Sequence, residues 1–388
     1  MTLRFVQMKE GECRVCGEKR PGISGALGVC INCIRTKPSE ALPYIQAAHE
    51  KVRVRYNLPA QPPKTSGGIP CNLCANECIM GEGEKGFCGL RKNEGGRLES
   101  LTSPDKGVLY AYYDPHVTNC CSAWFCPAGT GSGYPKYAHA RGSEAGYANY
   151  AVFFYGCNFN CLFCQNASHK DISRTNEVTL EQFTGEIQLD PRYSCICYFG
   201  GSPEPQLPFA LNASKQILEQ TRGRILRVCF EWNGCGNPSL VRKAAELAYE
   251  SGGNIKFDLK CFDPTLSLAL SGVPNKRAYE NFEMVAREFY EKRAEVPILT
   301  ATTLLVPDYV DAFEVERIAK FIRELNPEIP YSLLIFHSDF MMRDLPVTPK
   351  KQVEECYHIA KKHLKNVHVG NLHLLGLNAL TLRLSEMG

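Results

Sequence analysis

The chain has 388 residues, of which 44% are hydrophobic, and a formal net charge of +3. Because basic and acidic residues nearly balance, the charge gives no reason to expect nucleic acid or a membrane as a partner. No apolar run approaches a membrane span and the first ten residues contain no apolar signal segment, so we expect a cytoplasmic protein. The 20 cysteines, 14 of them before residue 165, predict metal binding in preference to disulfides and suggest an anaerobic host.

The first region, predicted at residues 1–60, contains two C-x2-C pairs separated by a segment with Gly and Pro. This spacing predicts a zinc-ribbon or rubredoxin-like site with a structural role, because four sulfurs leave no open position on the metal. Zinc and iron both accept four sulfurs, so the metal stays open, and four unrelated thiols are the alternative. A helix is predicted at residues 40–56. The four candidate ligands are Cys13, Cys16, Cys30 and Cys33.

A second cysteine-rich region is predicted at residues 61–149, beginning in a linker rich in Pro and Gly. Later in it, Cys120, Cys121 and Cys126 are candidates for an auxiliary metal site, for shielding a neighbouring centre or for core packing. Adjacent cysteines seldom both bind one ion, so we expect Cys126 to act with only one of the pair. Four earlier cysteines on Gly-rich turns predict a second metal site, with buried thiols as the alternative: Cys71, Cys74, Cys78 and Cys88.

Three cysteines with C-x3-C-x2-C spacing, Cys157, Cys161 and Cys164, follow the apolar run at residues 150–155. That run predicts a buried strand, because it is aromatic-rich and is followed by Gly156. Three sulfurs in a tight loop at a strand end can converge on one metal centre. Since four cysteines usually hold a 4Fe–4S cluster, three would leave one iron open to a small ligand. A zinc knuckle or three buried thiols are the alternatives.

Apolar β-type runs then alternate with amphipathic helical runs up to about residue 375, and residues 376–388 form a tail. Repeated βα units predict a parallel sheet whose functional residues gather at the carboxyl ends of the strands. The predicted strands are 150–155, 195–199, 226–232, 255–259, 298–305 and 331–336. The predicted helices are 207–220, 239–250, 279–290, 312–325 and 350–364.

The cysteine motif and its context resemble those of radical S-adenosylmethionine (SAM) enzymes. Residues 70–375 resemble the AmmeMemoRadiSam type, which is akin to pyruvate formate-lyase activating enzymes. The resemblance implies an α/β fold, a partial (βα)6 TIM-type barrel at residues 150–375, preceded by the cysteine-rich metal-binding region. It also implies a 4Fe–4S cluster whose open iron chelates SAM, and reductive cleavage of SAM to a 5′-deoxyadenosyl radical.

The resemblance further implies SAM contacts after several strands. In the family, a Gly-Gly motif holds the SAM amino group. Here Ser202 stands where an acidic residue is usual, and Glu204 follows two residues later. The turn after the third strand lies near the SAM ribose in the family, and a D-x-K lysine and a histidine after the sixth strand also lie near SAM. The implied SAM-binding residues are Gly200, Gly201, Ser202, Glu204, Glu231, Asn233, Lys260 and His337.

Because the large cysteine-rich region precedes the barrel, we predict modification of a protein residue, such as C-methylation with cobalamin as a further cofactor. The partners would be a protein or peptide, for example a methanogen enzyme subunit, and a reductant such as ferredoxin or flavodoxin. The familiar corrinoid motif D-x-H-x-x-G is absent. Glycyl-radical enzyme activation, radical chemistry on a small molecule, and a non-enzymatic Fe–S or zinc scaffold or regulator are the alternatives.

Overall fold

The computed structural model describes residues 10–118 and 120–376. Residues 1–9 and, apart from Gly376, the predicted tail at 376–388 lie outside this range. The strands are β1 (Gly11–Glu12), β2 (Lys19–Arg20), β3 (Ile69–Pro70), β4 (Ile79–Met80), β5 (Arg91–Glu94), β6 (Arg97–Ser100), β7 (Lys106–Pro115), β8 (Ala148–Phe154), β9 (Glu177–Thr179), β10 (Tyr193–Tyr198), β11 (Arg227–Trp232), β12 (Ile255–Asp258), β13 (Leu299–Leu305), β14 (Tyr331–Ile335) and β15 (Val367–Gly370).

The helices mostly follow the strands of the main sheet and cover its outer face. They are α1 (Ile31–Thr36), α2 (Pro38–Val54), α3 (Pro127–Thr130), α4 (Leu180–Leu189), α5 (Leu207–Gln220), α6 (Pro238–Ser251), α7 (Pro264–Ser271), α8 (Lys276–Phe289), α9 (Ala312–Leu325) and α10 (Lys350–Lys361). The amphipathic patterns predicted α5 and α9 at their observed bounds. Helices α4 and α7 were not predicted, because each is short; the side chains of Thr179 and Asp263, respectively, cap their first turns.

A nine-stranded sheet organises the molecule, in the order β15-β14-β13-β12-β11-β10-β8-β7-β9. Strands β8 and β10 to β15 pair in parallel, which confirms the six predicted βα strands and adds β15 as a seventh. Strand β7 pairs antiparallel with β8, and β9 pairs antiparallel with β7. Parallel strands joined by helices place their carboxyl ends at one edge, where the candidate site lies.

Aromatic side chains fill the layer between the sheet and helices α4 and α5. Phe154, Phe183, Tyr198 and Phe209 are fully buried, and the rings of Phe154 and Tyr198 stack with centroids 5.8 Å apart. Burying each such side chain contributes about 1.5–3 kcal/mol to the free energy of folding. This packing fixes the carboxyl ends of β8 and β10, from which the loops of the candidate site emerge.

The N-terminal segment packs against the loops that follow β13. The guanidinium of Arg35 donates two hydrogen bonds to Asp311, at 2.9 and 2.8 Å, and the Tyr309 hydroxyl donates to the Val29 carbonyl at 2.9 Å. Helix α2 confirms the helix predicted at 40–56 and packs on α7. The division into regions 1–60, 61–149 and 150–375 stays a prediction, and β7, from the second region, shares the main sheet with β8. Among the described residues, no helix is long and apolar enough to cross a membrane.

Candidate active site

The three-cysteine loop leaves the carboxyl end of β8 and is held by the end of α7. The backbone amide of Asn160 donates to the Ser271 carbonyl at 2.8 Å, and the amide of Leu162 donates to the Leu270 carbonyl at 3.0 Å. Cys161 is buried, whereas Cys157 and Cys164 are half-buried. The loop is therefore fixed while its sulfurs remain open to a bound group.

Lys170 and Lys260 supply positive charge beside these sulfurs. Burial lowers the pKa of Lys170, whose ammonium lies within electrostatic range of all three cysteines. Burial also raises the pKa values of the Cys157 and Cys164 thiols, while the charges of nearby lysines oppose that effect. Because metal-bound thiolates carry negative charge, buried cations at this position suit an anionic cluster.

Gly200 and Gly201 form a tight turn after β10, with φ angles of +67° and +61°. A Cβ atom at Gly200 would lie 2.0 Å from the Phe153 ring, and one at Gly201 would lie 1.7 Å from the Phe154 carbonyl oxygen. No larger residue fits either position, so the turn depends on both glycines. It brings the backbone after β10 directly against the end of β8.

A polar network joins the ends of three strands. The side-chain amide of Asn233, after β11, donates to Asn158 Oδ1 at 2.7 Å and to Ser202 Oγ at 2.8 Å. Asn158 follows Cys157 directly in the chain, and Ser202 follows the Gly-Gly turn. The three side chains therefore fix the three-cysteine loop relative to the turns after β10 and β11.

Two carboxyl groups near this network each have one buried oxygen without a partner among the described residues. Glu204 accepts a hydrogen bond from the Gly234 amide at 2.8 Å, and its other oxygen has no partner among the described residues. Burial raises the pKa of Glu204 to about 7. Asp258 forms an ion pair with Lys260 and likewise has one unpartnered oxygen. Such orphaned acceptors fit a ligand that carries amino and hydroxyl groups, as SAM does.

The implied SAM residues fall into three groups. The network and the adjacent carboxyl and lysine groups bring together Gly200, Gly201, Ser202, Glu204, Asn233 and Lys260. The His337 side chain is 52% exposed, and its Nδ1 atom lies 2.9 Å from Asp339 Oδ2. Glu231 lies elsewhere, because its side chain on β11 faces the interior of the barrel, beside Cys120 and Cys121. All eight assignments as SAM contacts stay predictions.

A cavity of about 940 Å³ occupies the interior of the barrel. Its lining reaches from Asn254 to Gln165 and Asn166, the two residues that follow Cys164. It includes six cysteines from the segment before α3 and from β10 and β11: Cys120, Cys121, Cys126, Cys195, Cys197 and Cys229. The last three belong to no motif that the sequence pattern singles out, although Cys195 and Cys197, two apart on one strand, must point to the same face.

The donor atoms of Cys120, Cys121 and Glu231 lie within 4.8 Å of one another at this cavity. Lys256, on β12, is buried, and its ammonium nitrogen lies 2.8 Å from Cys120 Sγ, 3.3 Å from Cys197 Sγ and 3.4 Å from Glu231 Oε2. No motif in the sequence singles out Lys256. Its pairing with Glu231 across β11 and β12, which points both side chains to the same face, is the feature that identifies it.

The first four-cysteine set comes together as predicted. The sulfurs of Cys13, Cys16, Cys30 and Cys33 lie within 4.8 Å of one another, which suits one metal ion. In the described part of the chain, Cys71, Cys74, Cys78 and Cys88 do not meet that distance, so a metal there stays a prediction. The three loop cysteines do not meet it either, but a cubane cluster takes one sulfur per iron and so spaces its ligands more widely than a single ion.

Comparison with known proteins identifies the family of the strand-and-helix region. Residues 151–322 match the family model of the radical SAM superfamily. This chain carries a radical SAM domain. The predicted α/β radical SAM fold is thereby confirmed, and the three-cysteine loop lies within the matched residues.

Relatives extend beyond the radical SAM domain. An uncharacterised protein of Methanocaldococcus jannaschii is 25% identical over 305 residues, covering 77% of this chain and 80% of its own length. The isethionate sulfite-lyase activating enzyme of Desulfovibrio desulfuricans is 32% identical over 156 residues, which are 38% of this chain and 45% of that enzyme. Among solved structures, a domain of a pyruvate-formate lyase-activating enzyme from Bacteroides vulgatus aligns with 18% identity and a TM-score of 0.35, covering 45% of this chain and 98% of that domain.

Proposed function

We propose that this radical SAM enzyme cleaves SAM reductively at a 4Fe–4S cluster held by Cys157, Cys161 and Cys164, and that hydrogen abstraction from a carbon of a protein or peptide residue follows. The observation that carries the proposal is the position of this loop beside the polar network of Asn158, Ser202 and Asn233. A non-enzymatic scaffold would have no use for such a network or for the orphaned carboxyl oxygens next to it.

When bound, the cluster and SAM together supply a 5′-deoxyadenosyl radical through one-electron reduction. The chain's own residues bind and orient SAM. The unpartnered oxygens of Glu204 and Asp258 accept hydrogen bonds from it, while Lys260 adds positive charge near the cluster loop. The Gly-Gly turn allows close approach of the backbone, and the barrel walls exclude water from the reacting groups.

The name of the Desulfovibrio relative supports an activating role, in which the hydrogen comes from a residue of a partner enzyme. The cavity of about 940 Å³ has the capacity for an inserted side chain and neighbouring backbone. A ferredoxin or flavodoxin would supply the electron. Cobalamin-dependent C-methylation stays a prediction, as does zinc at the first four-cysteine set, because neither follows from the residues at these sites.

The test is anaerobic reconstitution, reduction and incubation with SAM, followed by mass spectrometry of the products. We expect 5′-deoxyadenosine from the wild type and its complete loss in Cys161→Ser, with Cys356→Ala, a buried cysteine on α10, as the matched control. S-Adenosylhomocysteine as a second product would favour methyl transfer over activation. Absence of 5′-deoxyadenosine from wild type with an intact 4Fe–4S cluster, in the presence of SAM and reductant, would refute the proposal.

A further inference from the structure

The barrel interior contains a set of metal-binding side chains separate from the three-cysteine loop. Cys120 and Cys121 come from the segment before α3, whereas Glu231 comes from β11, so the chain brings together residues about 110 positions apart. Their donor atoms all lie within 4.8 Å of one another. Ligands about 2.3 Å from one ion lie at most about 4.6 Å apart, so this set needs little adjustment to bind a single ion.

Lys256 places a positive charge beside the donor atoms of this site. Its ammonium nitrogen lies 2.8 Å from Cys120 Sγ and 3.4 Å from Glu231 Oε2. A divalent ion bound by two thiolates and one carboxylate would leave one excess negative charge, which this ammonium offsets. Charged groups are tolerated inside a protein when they are paired in this way.

The ligand set leaves a position open toward the cavity. Two sulfurs and one carboxylate provide three protein ligands, the number found in sites that keep a fourth position for water or substrate. Glu231 is 32% exposed at its side chain, and the exposed surface faces the cavity that it lines. Thiolate ligands select a soft or borderline ion such as zinc or ferrous iron over magnesium or calcium.

We propose that Cys120, Cys121 and Glu231 bind one thiophilic divalent ion inside the barrel, with Lys256 as the neutralising cation and an open coordination position facing the cavity. Cys126, which sequence spacing had paired with one of the adjacent cysteines, is not among the three converging donors. The site stands on the geometry of this cavity and does not depend on SAM cleavage.

The experiment measures metal bound to the full-length chain after its iron–sulfur centres have been reconstituted. Zinc is added, unbound metal is removed by desalting, and zinc and iron per chain are counted by elemental mass spectrometry. We expect Glu231→Gln and Cys121→Ala each to retain one zinc ion fewer per chain than the wild type, with iron unchanged. Cys126 lines the same cavity, and the Cys126→Ala variant should retain the wild-type amount of zinc.

A second measurement on the wild type protects the test against a variant that fails to fold. Alkylation of native protein, mapped by peptide mass spectrometry, should modify Cys120 several-fold faster after chelation of zinc, as it should Cys16 in the first four-cysteine set. Equal zinc in the wild type, Glu231→Gln and Cys121→Ala would overturn the proposal. So would a Cys120 alkylation rate that chelation leaves unchanged while the rate at Cys16 rises. Formation of 5′-deoxyadenosine, measured in parallel, reports separately on the radical activity.

Discussion

Asn158 and Asn233 exchange side-chain hydrogen bonds, at 2.7 Å from Asn233 to Asn158 and at 3.3 Å in return. Asn158 is the neighbour of the first loop cysteine, and Asn233 directly follows β11. Through this pair, and through Ser202, the three-cysteine loop is coupled to the turns that follow β10 and β11, where we propose that SAM binds.

Replacing Asn233 with alanine should weaken both SAM binding and its cleavage. The substitution removes the donor to Asn158 and Ser202 and leaves buried polar groups unpaired, at a cost of about 1–3 kcal/mol, or roughly 5- to 150-fold. Isothermal titration of the reconstituted protein with SAM, together with the rate of 5′-deoxyadenosine formation, measures the effect. Asn212→Ala, at the surface of α5, is the control. Equal SAM affinity in the two variants would show that Asn233 does not contribute to SAM binding.

The affinity for SAM should depend on pH through Glu204. Burial raises the pKa of this carboxyl group to about 7, so it is largely protonated below that pH and ionised above it. A carboxylate attracts the cationic SAM more strongly than a neutral acid does, and the affinity should rise by about tenfold as pH increases from 6 to 8. In Glu204→Gln this component of the pH dependence should vanish. An identical pH profile in wild type and variant would show that Glu204 does not contact SAM.

The ion pair of Glu144 and Arg227 should control stability. The pair is buried, and Arg227 Nη2 lies 2.6 Å from Glu144 Oε2. Burial alone would raise the pKa of Glu144, but the Arg227 guanidinium holds that pKa at about 2. Glu144→Gln leaves a buried arginine unpaired and should lower the free energy of unfolding by about 3–5 kcal/mol in urea titrations. Glu295→Gln, at an exposed salt bridge, should change it by less than about 1 kcal/mol.

The same pair sets a direction for the effect of acid. The pKa of Glu144 is depressed in the folded protein, so its contribution to stability is complete above the unfolded value near 4.5 and is lost as pH falls toward 2. The difference in unfolding free energy between wild type and Glu144→Gln should therefore shrink over that interval. A difference that stays constant from pH 5 to pH 2.5 would contradict the assignment.

His49 should destabilise the fold at mildly acidic pH. Its Nδ1 atom lies 2.9 Å from the Asn160 amide nitrogen and its Nε2 atom lies 3.1 Å from the Ala269 carbonyl, an arrangement that requires a neutral ring. Burial lowers the pKa of His49 to about 4. Its contribution to stability is therefore complete above pH 6.5 and is lost as pH falls toward 4.

Urea titrations of the wild type and His49→Gln at several pH values would measure this effect. Between pH 6.5 and pH 4 the free energy of unfolding should fall by up to about 3 kcal/mol more in the wild type than in the variant. The reason is that folding lowers the pKa of His49 from 6.5 to about 4. His358→Gln, on α10, is the control and should follow the wild type. Parallel curves for wild type and His49→Gln would show that His49 is not held neutral.

The barrel was largely predictable from the sequence, because its signals are local. The apolar runs and the 3.6-residue periodicity of α5 and α9 are complete within each segment, so the strands and helices could be placed within a few residues. Strand β7 was not predicted, since its register with β8 depends on residues more than 30 positions away. Pairing between segments that far apart cannot be inferred from the hydrophobic pattern within either segment.

The candidate site was predictable in part for a similar reason. Cysteine spacing indicated the loop of Cys157 to Cys164 and the first four-cysteine set, because closely spaced ligands are brought together by the loop itself. The placement of Glu231 beside Cys120 and Cys121, and of Lys256 next to them, depends on which face of β11 and β12 points into the barrel. That facing depends on how the strands of the whole sheet are arranged around the cavity.

Electron paramagnetic resonance of the reduced, reconstituted protein shows whether SAM binds to an open cluster iron, because such binding alters the cluster's spectrum. We expect a 4Fe–4S signal whose g values change when SAM is added, and loss of that signal in Cys161→Ser. An intact 4Fe–4S spectrum that SAM leaves unchanged, at concentrations up to millimolar, would contradict a SAM-binding cluster on Cys157, Cys161 and Cys164.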